Sequence, residues 1–365
     1  MASDFLNTAT QRHQIWLQRL ASHEALSFDP ILKRADKIIR EVLSRYGEFI
    51  STKAILDEIL RELTLSLGAE YRSWSESLLD DMQDIGESEA TFTTMTLENA
   101  VTGATVASVA GAAVWAAANL IPVQLSDKGE AALMQPLVKA FTPNQVQRVT
   151  GVVRNGFYAG TPTQAIITQI RGTKVNQFKD GVLITTQRNA ASIARTLTNH
   201  MSNIARETTF KKNKKILAGW EFSATLDNRT SGICRFHDQE AHDGKVWPIG
   251  SGPIPPLHQN CRSAQVPILK PKFDLFKRDG TRASKGADGG AQVRDQGYYS
   301  WLKKEPKWFQ IEAIGKDKTQ LFRDGGLTTK EFNKAISNRI GEPLTLDQIK
   351  AKNPSAWLDA GLNGD

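Results

Sequence analysis

Hydrophobic side chains in the first hundred residues recur at three- and four-residue steps, the spacing of amphipathic helices. One apolar stripe runs from Ile31 to Tyr46, and others follow between Ile55 and Ile85. Stripes of this kind must be buried against other helices or against another subunit. The pattern therefore predicts a helical N-terminal region over residues 1–98, either a bundle or a partner-docking region.

The segment 99–126 contains no charged side chain. Its length would span a bilayer about 30 Å thick, yet Ala, Gly, Ser and Thr dominate it and strongly apolar residues are few. Small side chains allow helices to approach one another closely. This composition favours a tightly packed helix, and a membrane-active segment is the alternative.

Residues 127–269 combine helical periodicity with a period of two. A long helix is expected over 186–210, followed by alternating apolar and polar positions from Trp220 to Leu226 that are typical of a half-buried strand. The run AQVPIL at 264–269 resembles a second short strand. These patterns predict a central α+β module.

Gly, Lys and Asp are frequent in residues 270–296, which indicates a linker. Residues 297–365 read as a helical C-terminal extension, with capping boxes that begin at Thr328 and Thr345. The predicted fold class is mainly α, with a helical N-terminal region, an α+β centre with short strands and a metal-stabilised loop, and a helical tail.

Composition places the chain among folded proteins, since 40% of its 365 residues are hydrophobic and 23% are charged. Two cysteines cannot form a disulfide framework, and the N-terminus lacks the pattern of a secretory signal. A reducing cytoplasm, or a particle assembled in one, is the expected compartment. The formal charge of +7 favours an acidic partner such as nucleic acid.

Basic side chains occur on the predicted long helix and in the lysine run KKNKK that follows it. Contact with the phosphates of double-stranded DNA, without reading its sequence, is one interpretation, and a solvated surface is the other. The candidate nucleic-acid-binding residues are Arg195, Arg206, Lys211, Lys212, Lys214 and Lys215.

The stretch CRFHDQEAHDGKVWPIGSGPIPPLHQNC at 234–261 begins and ends on the only two cysteines and holds three of the six histidines. Cys234 and His237 form one pair with a two-residue gap, and His258 and Cys261 form a second. Two such pairs can build a tetrahedral zinc site, which would stabilise a Gly- and Pro-rich loop. Two free thiols with surface histidines are the alternative.

A zinc with four protein ligands is structural, because a catalytic zinc keeps a position open for water. The run HDQEAH fits no metalloprotease signature. We therefore assign no catalytic residue and expect the protein not to be an enzyme. The alternative is a zinc-dependent nuclease or hydrolase that uses His237, His242 and His258 around an open metal.

The run SATLDNRTSGICRFHDQEAHDGKVW, followed by PPLHQNCRSAQVPIL, resembles the core of the phage head morphogenesis family, minor head proteins similar to protein F of phage Mu. The resemblance covers roughly residues 140–270. The matching positions are Thr225, Asp227, Arg229, Thr230, Cys234, Gly244, Lys245, Trp247, Pro256, His258, Asn260, Cys261 and Arg262.

One departure affects the metal site. Many members of the family have a cysteine where this chain has Ser231, so His237 is expected to replace that ligand. The other candidates for the fourth ligand are Asp227, Asp238 and His242.

The resemblance implies a structural virion protein, present inside the phage head near the portal and assembled in the host cytoplasm. Its implied partners are the portal, the major capsid protein or both, and packaged DNA. Oligomerisation within the virion and a role in DNA packaging or ejection are further expectations.

Overall fold

The structure, a computed structural model, describes residues 4–274 and 280–362 and is mainly α-helical, as predicted. The helices of the N-terminal and central parts are α1 Asp4–Leu26, α2 Asp29–Ser44, α3 Lys53–Ala100, α4 Gly111–Leu120, α5 Met134–Tyr158, α6 Thr163–Arg171, α7 Val182–Lys212 and α8 Gly232–His242. The C-terminal helices are α9 Tyr298–Leu302, α10 Lys307–Ile314, α11 Lys316–Asp324, α12 Thr329–Ile336, α13 Leu346–Lys352 and α14 Pro354–Asp359.

Helix α3 organises the N-terminal half. Thr52 caps it by accepting a hydrogen bond from the backbone N–H of Ile55, and its 48 residues give a length of about 70 Å. Helices α2, α5 and α7 pack along it, and one hydrophobic cluster extends from Phe28 to Ala205. The helices expected in residues 1–98 are present, but they share their core with α5 and α7.

The expectation of one helix over 99–126 is wrong. A loop follows α3, the ten-residue α4 comes next, and Pro122 precedes strand β1, Val123–Gln124, which pairs with β2, Ala131–Ala132. Helix α4 is nevertheless closely packed, since a Cβ at Gly86 would lie 3.3 Å from a side-chain atom of Val114. Across the described ranges, no helix has the length and apolar character needed to cross a membrane.

Both strands expected in the central module are confirmed. Strand β3, Leu217–Ser223, pairs antiparallel with β5, Ala264–Leu269, and Trp220 lies opposite Pro267. Trp247 adds a backbone bridge to Trp220 on the other edge of β3, and the two indole rings stack 5.2 Å apart. The segment between the two cysteines is thus attached to this sheet through its backbone.

The expected linker 270–296 is structured where it is described. Strands β6, Thr281–Gly286, and β7, Gly289–Arg294, form a hairpin, and β6 also pairs parallel with β4, Leu226–Asp227. The hairpin consists mainly of small and charged side chains, so the pattern of hydrophobic positions did not predict it. Residues 275–279 of the expected linker lie outside the described residues.

The C-terminal helices enclose a cluster of aromatic side chains around Tyr299, Phe322 and Phe332. Both predicted capping boxes, at Thr328 and Thr345, are confirmed. Helix α12 packs on α8, where the Asn333 amide donates to the Phe236 carbonyl over 3.0 Å. Residues 363–365 of this predicted extension lie outside the described part of the chain.

Candidate metal centre and its adjoining cavity

Helix α8 positions the first cysteine. Ser231 is its N-cap, and its hydroxyl accepts a hydrogen bond from the backbone N–H of Cys234 over 3.4 Å. Cys234 therefore lies in the first turn of the helix with its side chain buried, only 2% exposed. The two-residue spacing suggests a tight turn at this position; the structure has a helix.

The second pair lies in an irregular turn. The backbone N–H of Cys261 donates to the His258 carbonyl over 3.2 Å, and Asn260 between them has a positive φ of 57°. The Asn260 backbone N–H and side-chain amide donate to Thr196 and Ser192 on α7. The turn is thus fastened to α7, and this attachment fixes where His258 and Cys261 point.

Three of the four predicted ligands meet. The sulfurs of Cys234 and Cys261 are 3.7 Å apart, and His258 Nε2 is 3.3 Å from the Cys234 sulfur. Two thiolates bound to zinc at about 2.3 Å with a tetrahedral angle would be about 3.8 Å apart. The donor set of two sulfurs and one imidazole nitrogen also suits zinc. These residues fit a zinc ion.

The ionisation of the three side chains is coupled. Burial alone would raise the pKa of Cys261, but hydrogen bonds from Cys234 and His258 lower it well below its usual value. Burial and the neighbouring Cys261 raise the pKa of Cys234. Burial lowers the pKa of His258, yet its interaction with Cys261 raises it overall. The pKa of Cys261 is thus shifted towards the thiolate form, which is the form that binds metal.

His237 does not join this group, which corrects its assignment as the fourth ligand. Its Nδ1 lies 3.0 Å from a carboxylate oxygen of Glu240, and its ring packs against Phe222, Phe236 and Trp247. One helical turn separates His237 from Cys234, but only Cys234 lies at the end of the helix that faces the turn 258–261. Its two-residue spacing matched a ligand pair by coincidence.

The other candidates for a fourth ligand are also occupied elsewhere. Asp227 receives the Arg262 guanidinium, Asp238 is fully buried against Arg282, and His242 Nε2 lies 3.2 Å from Asp295. Within the described residues the candidate group therefore has three protein ligands. Because His237 and His242 lie outside it, the arrangement of three histidines around one metal does not form.

Ser231 stands at the fourth side of the site. Its hydroxyl oxygen lies 2.8 Å from His258 Nε2, so position 231 faces the metal ligands directly. The position at which the sequence departs from the resemblance is thus at the site itself. A hydroxyl is a much weaker zinc ligand than a thiolate, so a zinc held by Cys234, His258 and Cys261 would keep its fourth coordination position open to water or to another oxygen ligand.

Several positions of the resemblance that are not candidate metal ligands hold the segments around the site together. Asp227 accepts hydrogen bonds from the Arg229 backbone N–H at 3.0 Å and from the Thr230 hydroxyl at 3.1 Å. Arg262, directly after Cys261, donates to both carboxylate oxygens of Asp227. Burial would raise the pKa of Asp227, but the Arg262 bonds lower it below its usual value. The ion pair between Asp227 and Arg262 thus joins the segment before α8 to the segment after Cys261.

A cavity of about 550 Å³ adjoins the candidate metal centre. One wall is the face of α1 that carries Gln14, Gln18 and Ser22, and the opposite wall includes His258 and Cys261. The N-terminal helix, which lies outside the residues of the resemblance, therefore forms part of this site. Nothing in the helical periodicity of α1 indicated this.

The structure divides the candidate nucleic-acid-binding residues. Arg195 is exposed and lines the cavity, and the four lysines at 211, 212, 214 and 215 are exposed at the end of α7. Lys211 lies 3.5 Å from the buried carboxylate of Glu207. Arg195 and the lysine run are thus two separate basic surfaces, about 24 Å apart along a helix.

Arg206 is not available to DNA, and its assignment is corrected. Its side chain is 2% exposed and contacts Gln14 and Asn203 at 3.3 and 3.4 Å, with Glu89 of α3 at 3.8 Å. It lies on the buried side of α7, where α1 and α3 pack. The sequence pattern assigned it to the exposed face because neither contact can be inferred from local spacing.

The buried pair between Asp238 and Arg282 has no signal in the sequence. Asp238 is one of several polar residues in HDQEAH, and Arg282 falls in the expected linker. Their side chains are fully buried, with 2.7 Å between Nη2 and a carboxylate oxygen. Only the pairing of β6 with β4 brings them together.

The fold and the site define a mainly helical protein with a small α+β module that is closed by a cysteine–histidine cluster. Residues 147–266, about a third of the chain, match the family model described as Phage Mu protein F like protein, which confirms the resemblance. The match supports a phage head morphogenesis protein that belongs to the virion and interacts with its other components. No curated protein and no solved structure matches the chain significantly.

Proposed function

We propose that the chain is a structural minor head protein of a tailed phage, located inside the head near the portal. The observation that carries this proposal is the match of residues 147–266 to the Mu F-like family. It would contact the portal or the major capsid protein as an oligomer during head assembly. It would also assist DNA packaging or ejection.

Virion membership is the direct test. Mass spectrometry of purified particles should detect the chain in DNA-filled heads and in proheads, at a small copy number relative to the major capsid protein. Cross-linking within intact particles should then join it to the portal or to the capsid. Its absence from particles, while it remains abundant in the lysate, would overturn the proposal.

The metal centre has a structural role in this proposal. Zinc bound by Cys234, His258 and Cys261 would fasten the first turn of α8 to the turn that α7 holds, closing a loop of 28 residues numbered 234–261. The Gly- and Pro-rich residues 243–257 form no helix, and their regular backbone pairing is the Trp247 bridge to β3, so metal binding would stabilise this segment.

Sequence-independent DNA binding by the lysine run is the second part of the proposal. Lys212, Lys214 and Lys215 are exposed, whereas Lys211 is close to the buried carboxylate of Glu207 and is better left intact. Changing the three exposed lysines to glutamine should reduce the salt dependence of duplex DNA binding, by a log–log slope of about 0.9 for each phosphate that is no longer neutralised.

The matched control replaces Lys303, Lys307 and Lys316, three exposed lysines of the C-terminal helices, and removes the same charge. The slope should remain unchanged in the control. DNA binding that is undetectable at low salt, or that both triple variants weaken equally, would leave these lysines as a solvated surface.

Zinc-dependent hydrolysis is the alternative function, because an open fourth coordination position could hold a water molecule. None of the described residues that line the adjoining cavity is Asp or Glu, so a carboxylate general base is missing from its walls. We expect no cleavage of single- or double-stranded DNA with zinc, magnesium or manganese. Cleavage that His258→Ala abolishes would reverse this assignment.

A further inference from the structure

The cavity beside the metal centre is built from two parts of the chain. Gln14, Leu17, Gln18, Ala21 and Ser22 line it from α1, at the three- and four-residue steps of a single helix face. The far wall comes from α7, from the start of α8 and from residues 258–262. At about 550 Å³ the cavity falls within the range of small-molecule sites, about 300–1,000 Å³.

Positive charge dominates this cavity. Its walls include Arg195, Arg229 and Arg262, and none of the described residues that line it is acidic. Arg262 is neutralised by Asp227. Arg229 is 72% exposed and lies 3.9 Å from the same carboxylate.

The Arg195 side chain has no hydrogen bond or ion pair within the described part of the chain. With a single carboxylate for three guanidinium groups, the cavity keeps about two uncompensated positive charges.

The metal ligands leave this surplus unchanged. A zinc ion with two thiolates and one neutral imidazole has no net charge. That wall of the cavity would therefore add no net charge to that of the arginines, although its open coordination position could accept an oxygen of an anion.

An amide group adds to the polar lining. Asn199 is 4% exposed and lines the cavity, and its oxygen accepts a hydrogen bond from Gln14 over 2.9 Å. Its Nδ2 has no hydrogen-bond partner among the described residues. This nitrogen has almost no solvent-accessible surface, so it does not face the open part of the cavity.

We propose that this cavity binds a phosphate group of the phosphomonoester class. Guanidinium groups bind phosphate through two parallel hydrogen bonds, and two of the three arginines here are available for it. The group would belong either to a free mononucleotide or to the 5′ end of a DNA strand. The site is separate from the lysine run, and it does not depend on the head function.

Calorimetric titration of the full chain with inorganic phosphate and with thymidine 5′-monophosphate at low salt tests the proposal. Binding should be detectable, and Arg195→Gln or Arg229→Gln should each weaken it about tenfold, as expected when one charged hydrogen bond is removed. Both side chains are exposed, so the fold should be kept. Arg188→Gln is the matched control, because Arg188 is exposed on α7 two turns earlier and does not line the cavity.

Short DNA duplexes with either a 5′-phosphate or a 5′-hydroxyl distinguish the two sources. Tighter binding of the phosphorylated duplex, abolished in Arg195→Gln, would assign the site to strand ends; equal binding would assign it to free phosphomonoesters. No binding of phosphate or nucleotide, or an equal weakening in Arg188→Gln, would overturn the proposal. A negative result would leave virion membership unaffected, and absence from virions would leave phosphate binding unaffected.

Discussion

The pair formed by Asp238 and Arg282 should be the most costly polar interaction to break. Asp238 accepts hydrogen bonds from the backbone N–H groups of Ala224 and Tyr298, each at 2.8 Å, and from Arg282 at 2.7 Å. Arg282 also donates to the carbonyls of Ala224 and Gln296. One carboxylate thus joins α8, the end of β3, the β6 strand and the start of α9.

Asp238→Ala would remove the closest carboxylate from a fully buried guanidinium, which would keep only Asp295 at 3.8 Å, and would leave two backbone donors without an acceptor. Removing one member of a buried ion pair costs about 3–5 kcal/mol. Asp57→Ala is the control, because Asp57 pairs with Lys53 over a similar 2.7 Å but both side chains are largely exposed, at 49% and 69%. An exposed pair contributes about 0–1 kcal/mol.

Urea unfolding followed by tryptophan fluorescence measures both changes in the free energy of unfolding. Asp238→Ala combined with Arg282→Met should be less destabilised than the sum of the single variants, because the double variant no longer buries a guanidinium that has lost its closest carboxylate. A destabilisation below about 1 kcal/mol for Asp238→Ala, or strict additivity in the double variant, would refute the reasoning.

Three further predictions concern the metal, pH and a close backbone contact. Elemental analysis should find about one zinc per chain, which Cys261→Ser should lose and His237→Ala should retain. Ser231→Cys should hold the zinc more tightly against chelators, because it adds a fourth strong ligand. Absence of zinc from His237→Ala would contradict the three-ligand site. Burial lowers the pKa of His200 from 6.5 to about 4, so its contribution to stability is present above pH 6.5 and is lost as the pH falls towards 4. Relative to His200→Gln, the wild type should therefore lose about 3 kcal/mol between pH 7 and pH 4, and a constant difference in unfolding free energy would exclude this. Gly252→Ala should destabilise more than Gly289→Ala, because both glycines have φ near 97° but only a Cβ at Gly252 would meet Trp247, at 2.5 Å; equal unfolding midpoints would show that the close approach is relieved.

Local signals in the sequence predicted the parts of the fold that local chemistry determines. The capping boxes at Thr328 and Thr345 and the alternating strands β3 and β5 depend on residues a few positions apart. The prediction failed for segments whose local sequence does not distinguish buried from exposed positions. The β6–β7 hairpin has few large apolar side chains, and its pairing with β4 depends on contacts far along the chain.

The metal site shows the same limit within one motif. Ligand spacing predicted Cys234, His258 and Cys261, which lie together, and also His237, which shares their pattern but lies one turn further along α8 beside Glu240. Spacing defines which residues are close in sequence, whereas the helix that Ser231 caps determines which of them face the site. Arg206 was misplaced similarly, since its burial depends on α1 and α3.

The buried charges of the family-matched segment are neutralised from outside that segment. Arg206 lies within 147–266 and is close to Glu89 of α3, and Asp238 is paired with Arg282 of the β6–β7 hairpin. Without these partners Asp238 would lose the guanidinium that pairs with it, and without α3 the apolar side of α7 that packs on it would be exposed to water. The flanking α3 helix and the hairpin are therefore required for this segment to fold as observed, although the match to the family does not extend to either of them.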